Sequence, residues 1–247
     1  MTYNLAISPD FKPELISGWF IFNTWLQRQL GEGVHLEIHQ DFKEQHDAID
    51  KGKVDLIYAN PFDVSQLVRN HGFTPVAKPS AKPDEAIIAC HAGAFTEVKD
   101  LPTNIKIAQT DTPDVNTIGM IMLEPADIDK TTVEILNCDN FVVVAKHLMR
   151  GEADVGFFLA ESFNELSALV KKDLFPLVSS QIHMIHHAML VSPNMAGQKD
   201  QLEKLFTAMS SDQSGQKILA EIGVSQFEPM STEDAEFMID LMDTLTT

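Results

Sequence analysis

The polar side chains placed to meet a ligand fall into two sets. In the first, Ser8 closes an alternating stretch from Thr2 that predicts a buried strand, and Asp10 stands on the loop beyond it. Farther on, the apolar run Val54 to Ala59 predicts another strand, with Tyr58 near its end and Asn60-Pro61-Phe62-Asp63 following. An Asn both donates and accepts hydrogen bonds and an Asp accepts, so Asn60 and Asp63 suit a small polar solute, with Tyr58 as an aromatic wall. Competing readings are local: turn chemistry explains Ser8-Pro9-Asp10, a helix N-cap explains Asp63, and a core position explains Tyr58. The second set comprises Thr112, Asp114, Asn116 and Thr117 around the start of one helix, Asn140 at the start of another, and Glu161 after a strand. Pro113 suits the first helical turn with Thr112 as its N-cap, and Asp114 is either a cleft-facing carboxylate or a partner of the helix dipole. Glu161 has the same capping alternative as Asp63.

Two copies of one helix-turn-strand unit position these sets. AIDKGKVDLIYANPFD, from Ala48, and KHLMRGEADVGFFLAES, from Lys146, each end a helix at a Gly and open an apolar strand at an Asp three residues later. Gly52 and Asp55 match Gly151 and Asp154. A Gly after the last helical turn supplies a left-handed C-cap, and the short bounded apolar runs fit buried parallel strands. Ligands of open α/β sheets bind beyond the carboxyl ends of strands, where Asn60 to Asp63 and Leu159 to Ser162 lie.

With 247 residues, 44% of them hydrophobic, the chain can fill one large core or two ordinary ones. Its net charge of −18 excludes nucleic acid and anionic membrane surfaces as partners. No apolar run reaches membrane-spanning length, which argues against membrane insertion. The first residues run straight into a strand, so the chain reads as cytoplasmic as it stands and as periplasmic if a leader was removed before Met1. Cys90 and Cys138 match no metal or redox spacing and are expected to be buried free thiols. The HMIHH stretch, His183 to His187, places His183 and His187 on one face of an expected strand. Without an adjacent acidic ligand it does not meet the needs of zinc, although one of these histidines could line a hinge. No Gly-x-Ser-x-Gly and no Gly-rich phosphate loop is present, and no cofactor is implied.

The order of elements predicts two α/β lobes. Leu15, Trp19, Phe22, Leu26 and Leu30 make one apolar helix stripe, widened by Ile16 and Phe20. Alternating strands and helices up to Phe73–Ala77 predict a parallel sheet with helices on both faces. Proline-bearing KPSAKPDE marks a boundary, and strands and helices then continue to about Val191. Three amphipathic helices close the chain, Lys199 to Met209, Gln213 to Ile222 and Thr232 to Leu245, with a cap at Ser231 and Asp234. The arrangement predicted is residues 1–85 with 190–247 as lobe one and 86–189 as lobe two, joined by two hinge strands, the last helices packing on lobe one and a ligand groove between the lobes.

From Thr2 to Leu245 the sequence resembles the solute-binding proteins of phosphonate, phosphite and phosphate ABC transporters, which have the type 2 periplasmic-binding fold. The resemblance rests on the helix-Gly-x-x-Asp strand with Asn60-Pro61-Phe62, where the family has Gly-Pro-Phe; on Glu97 to Leu101 before the strand Lys106 to Gln109; and on Gly151 to Asp154. It implies reversible capture of a small solute between hinged lobes, with an ABC permease as partner. It also implies an anion site at the amino end of a lobe-two helix, where the family has Ser-Thr-Ser and this chain has Asp114-Val115-Asn116 followed by Thr117. A carboxylate there would repel a phosphonate and favour a neutral, zwitterionic or cationic solute. Two alternatives come from other classes. Cytoplasmic enzymes of the futalosine route to menaquinone share the fold and are resembled more faintly, with Asp114, His91 or Glu161 as acid or base; a ligand-sensing protein read by a partner is the other.

Overall fold

The computed structural model describes residues 2–246. From the amino end come β1 (Thr2–Ile7), α1 (Ile16–Leu30), β2 (Gly33–Ile38), α2 (Phe42–Asp50), β3 (Leu56–Ala59), α3 (Pro61–Ser65) and β4 (Thr74–Pro79). Next are β5 (Ala86–His91), β6 (Ile105–Gln109), α4 (Pro113–Met122), β7 (Val133–Asn137), α5 (Phe141–Met149), β8 (Val155–Leu159), α6 (Ala160–Glu165), α7 (Ala168–Lys172) and β9 (Leu174–Ser179). The chain finishes with β10 (Ala188–Val191), α8 (Lys199–Ala208), α9 (Gln213–Glu221), β11 (Phe227–Pro229) and α10 (Thr232–Thr246). Two compact units result, Met1–Lys82 with His186–Met242 and Pro83–Ile185 with Asp243–Thr247.

The first unit holds a sheet in the order β11-β4-β10-β3-β1-β2. β1 is parallel to β2 and β3, but β10 is antiparallel to β3 and β4, so the sheet is mixed rather than the parallel one expected. The alternation of local elements cannot reveal that a returning strand inserts between β3 and β4. The second sheet runs β7-β6-β8-β5-β9, with β6 parallel to β7 and β8 and with β5 antiparallel to β8 and β9. Taken from β2 and from β7, the two sheets have one topology: β1 corresponds to β6, β3 to β8, β10 to β5 and β4 to β9.

Strand alternation sorts the first unit's core onto two faces. Leu5, Ile7, Leu56, Tyr58, Met189 and Val191 pack with Trp19, Phe22 and Leu26 of α1 and with Leu202, Phe206 and Leu219 of α8 and α9. Ala6, Ile57, Ala59, Ala188 and Leu190 meet Ile49 of α2, Val64 of α3, and Ala235, Met238 and Ile239 of α10. The carboxyl-terminal helices thus pack on the first unit, although β11 separates α9 from α10 where an unbroken run of helices was expected. The α1 stripe is as predicted except that Ile16 and Phe20 are 40% and 52% exposed, because they fall round the helix from the Trp19–Leu26 line. In the second unit, Gly119 of α4 lies against the Phe157 ring, while Gly156 lies against Val144 of α5, so helices cover both faces of β8.

Both predicted Gly punctuations are present. Gly52 and Gly151 have φ of +64° and +66°. Gly52 N donates to Ile49 O and Lys53 N to Ala48 O, at 2.9 and 3.0 Å; Gly151 N donates to Leu148 O and Glu152 N to Leu148's neighbour His147 O, at 3.0 and 2.9 Å. Each pair closes a Schellman turn, which satisfies the last helical carbonyls. The Ser231–Asp234 cap is also present, with Asp234 N donating to Ser231 Oγ at 3.0 Å and Ser231 N to Asp234 Oδ2 at 2.9 Å. Two local expectations fail. The helix expected from Glu161 to Val170 is broken at Leu166, where Ser167 starts α7 by accepting from Val170 N. The histidine stretch is not strand: His183 has φ of +60°, and β10 begins only at Ala188.

Candidate ligand-binding site

In the first unit the carboxyl ends of β1 and β3 lie side by side, held by Ser8 N donating to Tyr58 O at 2.9 Å. β10 runs the other way and pairs Ala188 with Ala59, so its amino end brings His187 to the same place. The Asp10 side chain, 4% exposed, takes Asn60 Nδ2 on Oδ2 at 2.8 Å and faces His187 Nε2 from Oδ1 at 3.4 Å. Burial pushes the Asp10 carboxyl up, but the charge and hydrogen bonding of His187, with the Asn60 bond, outweigh it and hold the group below its ordinary value. The Ser8 hydroxyl lies close enough to this carboxylate to help lower it, yet its buried oxygen meets no hydrogen-bond geometry among the described residues. The Tyr58 ring stacks on His187 with centroids 5.1 Å apart and packs against Trp19 on its other side, also at 5.1 Å. Tyr58 is accordingly both core and the support of His187.

Asn60 is the N-cap of α3, since its Oδ1 accepts from Phe62 N at 2.8 Å while Pro61 fills the first helical position. Asp63 is therefore not the cap. It points to α2, where His46 Nε2 and Gln45 Nε2 meet its carboxylate at 2.7 and 3.1 Å. Asp63 thereby leaves the group formed by Ser8, Asp10, Tyr58 and Asn60, whereas Phe62 keeps its ring 44% exposed beside it in sequence. His187 is the member of this group that the residue pattern did not assign beyond a hinge role; its signal is its place just before a strand antiparallel to β3.

The second unit gathers its residues at the corresponding end. Thr110 follows β6 as Ser8 follows β1, and its hydroxyl meets that of Thr112 at 2.8 Å. Thr112 occupies the N-cap position of α4 but makes no side-chain cap, because its hydroxyl is turned to Thr110. Asn116 Nδ2 donates to Thr110 O at 2.8 Å, and Asn116 Oδ1 is shut from solvent without a partner among the described residues. Asp114, in the first turn of α4, is fully buried, and Thr117 is half-buried one residue beyond Asn116. Asn140 stands apart: it is exposed and caps α5 by accepting from Val143 N at 3.1 Å, as Asp41 caps α2. Glu161 is half-buried in the first turn of α6.

Glu85 is the counterpart of His187, standing just before β5. Its carboxylate accepts from the Ser180 hydroxyl and, at 2.6 Å, from His183 N. Cys90 and Cys138 are free, and burial pushes both thiols up, away from nucleophilic thiolate. Among the described residues no three His, Cys, Asp or Glu side chains converge to hold a metal ion, and no helix is long and apolar enough to cross a membrane.

Solved structures share this fold over nearly the whole chain. PhnD1 of Prochlorococcus marinus, solved in complex with methylphosphonate, matches with a TM-score of 0.83 at 10% identity, covering 99% of this chain and 98% of that one. A binding protein component of an ABC phosphonate transporter from Pseudomonas aeruginosa matches with a TM-score of 0.78 at 17% identity, covering 99% and 86%. The periplasmic aliphatic sulphonate binding protein SsuA of Escherichia coli matches with a TM-score of 0.69 at 12% identity, covering 99% and 86%. No curated protein matches the sequence. At these identities the likeness establishes the type 2 periplasmic-binding fold with its two lobes. The family assignment comes from the sequence itself: residues 5–235 match the family model, and the chain belongs to the phosphonate periplasmic substrate-binding proteins of ABC transporters.

Proposed function

We propose that the protein reversibly captures a small polar solute with the residues clustered at the carboxyl ends of its strands and delivers it to an ABC permease in the periplasm. The observation that carries this reading is the repetition of one sheet topology, with a buried polar cluster at the same end each time. Ser8, Asp10, Asn60 and His187 form one cluster, flanked by Tyr58 and Phe62. Thr110, Thr112, Asp114, Asn116 and Thr117 form the other. Within the first cluster, Asp10 and Asn60 act by positioning, since their polar atoms are bonded to each other, to His187 and to the start of α3. The free acceptor and donor capacity lies with Ser8 Oγ and Asn116 Oδ1, and these are the groups proposed to meet the solute. Asn140 and Glu161 are proposed as rim contacts through their helix starts.

Family membership favours capture over the catalytic alternative, the menaquinone-type enzyme. A thermal-shift screen of phosphonates, phosphite, amino acids, polyamines and menaquinone precursors, followed by mass spectrometry of each hit, tests the reading. A solute that binds the folded state alone at 100 times its Kd should stabilise the protein by about 2.7 kcal/mol and be recovered unchanged. Conversion of the solute would overturn the proposal.

A further inference from the structure

We infer that the buried Asp63 carboxylate, gripped by His46 and Gln45 of α2, positions the first cluster: it sets the first turn of α3, through that turn Asn60, and through Asn60 the Asp10–His187 pair, so that the proton on His46 governs how firmly the site is held. The inference deepens the proposed function, on which it rests for calling this cluster a solute site, and its test needs no solute.

A helix of five residues does not hold itself together in water, so the place of α3 is decided by what ties it down. Val64 packs into the core, and two polar side chains fix the first turn. At its start Asn60 Oδ1 accepts from Phe62 N and Asn60 Nδ2 donates to Asp10 Oδ2, both at 2.8 Å. Three residues on, Asp63 N donates back to Asn60 O at 3.0 Å while the Asp63 carboxylate reaches α2. There Oδ1 meets His46 Nε2 at 2.7 Å and Oδ2 accepts from Gln45 Nε2 at 3.1 Å. An unbroken series of hydrogen bonds and one helical turn therefore runs from His46 to Asp10, and Asp10 faces His187 at 3.4 Å.

Asp63 is 2% exposed, and a carboxylate so far from water depends on its partners. Gln45 is fully buried and its Oε1 has no partner among the described residues, so the bond to Asp63 is what orients its amide. His46 is the partner that titrates. The charged groups facing it are Asp63 of α3 and Asp50 of its own helix; His71, from the turn after α3, meets Asp50 at 3.3 Å, and the Phe42 ring lies beside the imidazole. The hydrogen bond to Asp63, opposed by burial and helped by both carboxylate charges, keeps the ring protonated to higher pH than usual. Loss of that proton turns a charge-assisted bond into a neutral one of roughly half the strength. The first turn of α3 is thus held firmly while His46 is charged and loosens as pH rises through its raised value.

The test is nuclear magnetic resonance on the full chain without added solute, from pH 5.5 to 8.5, comparing wild type with H46Q and Q45A, each shown to be folded by circular dichroism. Two readouts report the site: hydrogen-exchange protection of the Phe62 amide, corrected for the pH dependence of intrinsic exchange, and the titration midpoint of the His187 ring. In wild type, Phe62 protection should fall about threefold to tenfold as His46 loses its proton. H46Q keeps a donor that does not titrate, so its protection should stay level. Q45A alters no charge, yet it should lower Phe62 protection about tenfold at every pH and move the His187 midpoint, which a long-range effect of the His46 charge does not do. Wild-type protection that does not fall overturns the inference, as does an unmoved His187 midpoint in folded Q45A. Should Q45A fail to fold, wild type against H46Q decides: parallel pH profiles overturn the inference, and a fall confined to wild type upholds it. The binding function is judged by the thermal-shift screen, so the two can fail separately.

Discussion

Asp55 and Asn4 exchange two hydrogen bonds across neighbouring strands: Asn4 N donates to Asp55 Oδ2 at 2.9 Å and Asp55 N donates to Asn4 O at 3.0 Å. Asp154 does the same for Lys106 in the second unit, with Lys106 N on Oδ2 at 2.8 Å and Asp154 N on Lys106 O at 2.9 Å. The carboxylates lock the start of β3 to β1 and the start of β8 to β6, and so fix the register that carries the site residues to the opposite end. Replacing either Asp by Ala removes a charge-assisted bond and strands a backbone N–H, a cost of about 1.5–3 kcal/mol in urea denaturation. Replacement by Asn, which keeps an acceptor, should cost less than Ala at both positions.

Asn60→Ala is expected to weaken the fold as well as the site. Asn60 is fully buried, caps α3 and holds Asp10, so its loss should cost about 1–3 kcal/mol in chemical denaturation. Asn60→Asp keeps the cap acceptor but sets a second carboxylate beside Asp10, and it should be the less stable of the two at pH 7. Equal stability of Asn60→Ala and wild type would contradict the role assigned to this cap.

His46 gives the protein a pH-dependent component. The hydrogen bond to Asp63 raises its pKa, burial opposes the rise, and the charges of Asp63 and Asp50 add to it. A raised folded-state pKa means the protonated ring is favoured on folding, so this stabilisation is complete below the ordinary value of 6.5 and is lost as pH rises through the folded value. Melting temperature followed from pH 5.5 to 8.5 should therefore fall less steeply in His46→Gln than in wild type. The ring is more than a third exposed, so the difference will be modest and reduced by salt.

Asp10 contributes in the opposite sense. Its lowered folded-state pKa stabilises the protein above the ordinary value of 3.8, and that part is lost as pH falls through the folded value. Removing its partner in His187→Ala leaves a carboxylate whose side chain is 4% exposed with one contact fewer, an expected loss of about 1–3 kcal/mol at pH 7. The double change Asp10→Asn with His187→Ala should recover part of that loss, measured as coupling in a double-mutant cycle.

What the sequence made legible is what is local. Gly52 with Asp55 and Gly151 with Asp154 were readable because a C-cap and a strand start lie within four residues, and the same pattern twice implied the same unit twice. The Ser231–Asp234 cap was readable for the same reason. β10 was not, because insertion between β3 and β4 depends on pairing with segments far away in the chain. That one strand explains two misses: the sheet is mixed, and His187 joins Asp10 at the candidate site. Of the two readings of Asp63, solute contact and helix cap, the cap fails, and Asn60-Pro61 held that signal, an Asn followed by Pro at the first helical position. Asn140 caps α5, and the sequence alone could not separate that role from a rim contact because a capping Asn and a ligand-holding Asn have the same context.

The most direct test of the central claim is calorimetric titration of the purified protein with the strongest compound from the thermal-shift screen, with the solute recovered afterwards by mass spectrometry. The account predicts one solute per chain, bound reversibly, recovered chemically intact, and bound more weakly by Ser8→Ala and Asn116→Ala. Turnover of the solute, or affinity unchanged in both variants, would contradict it.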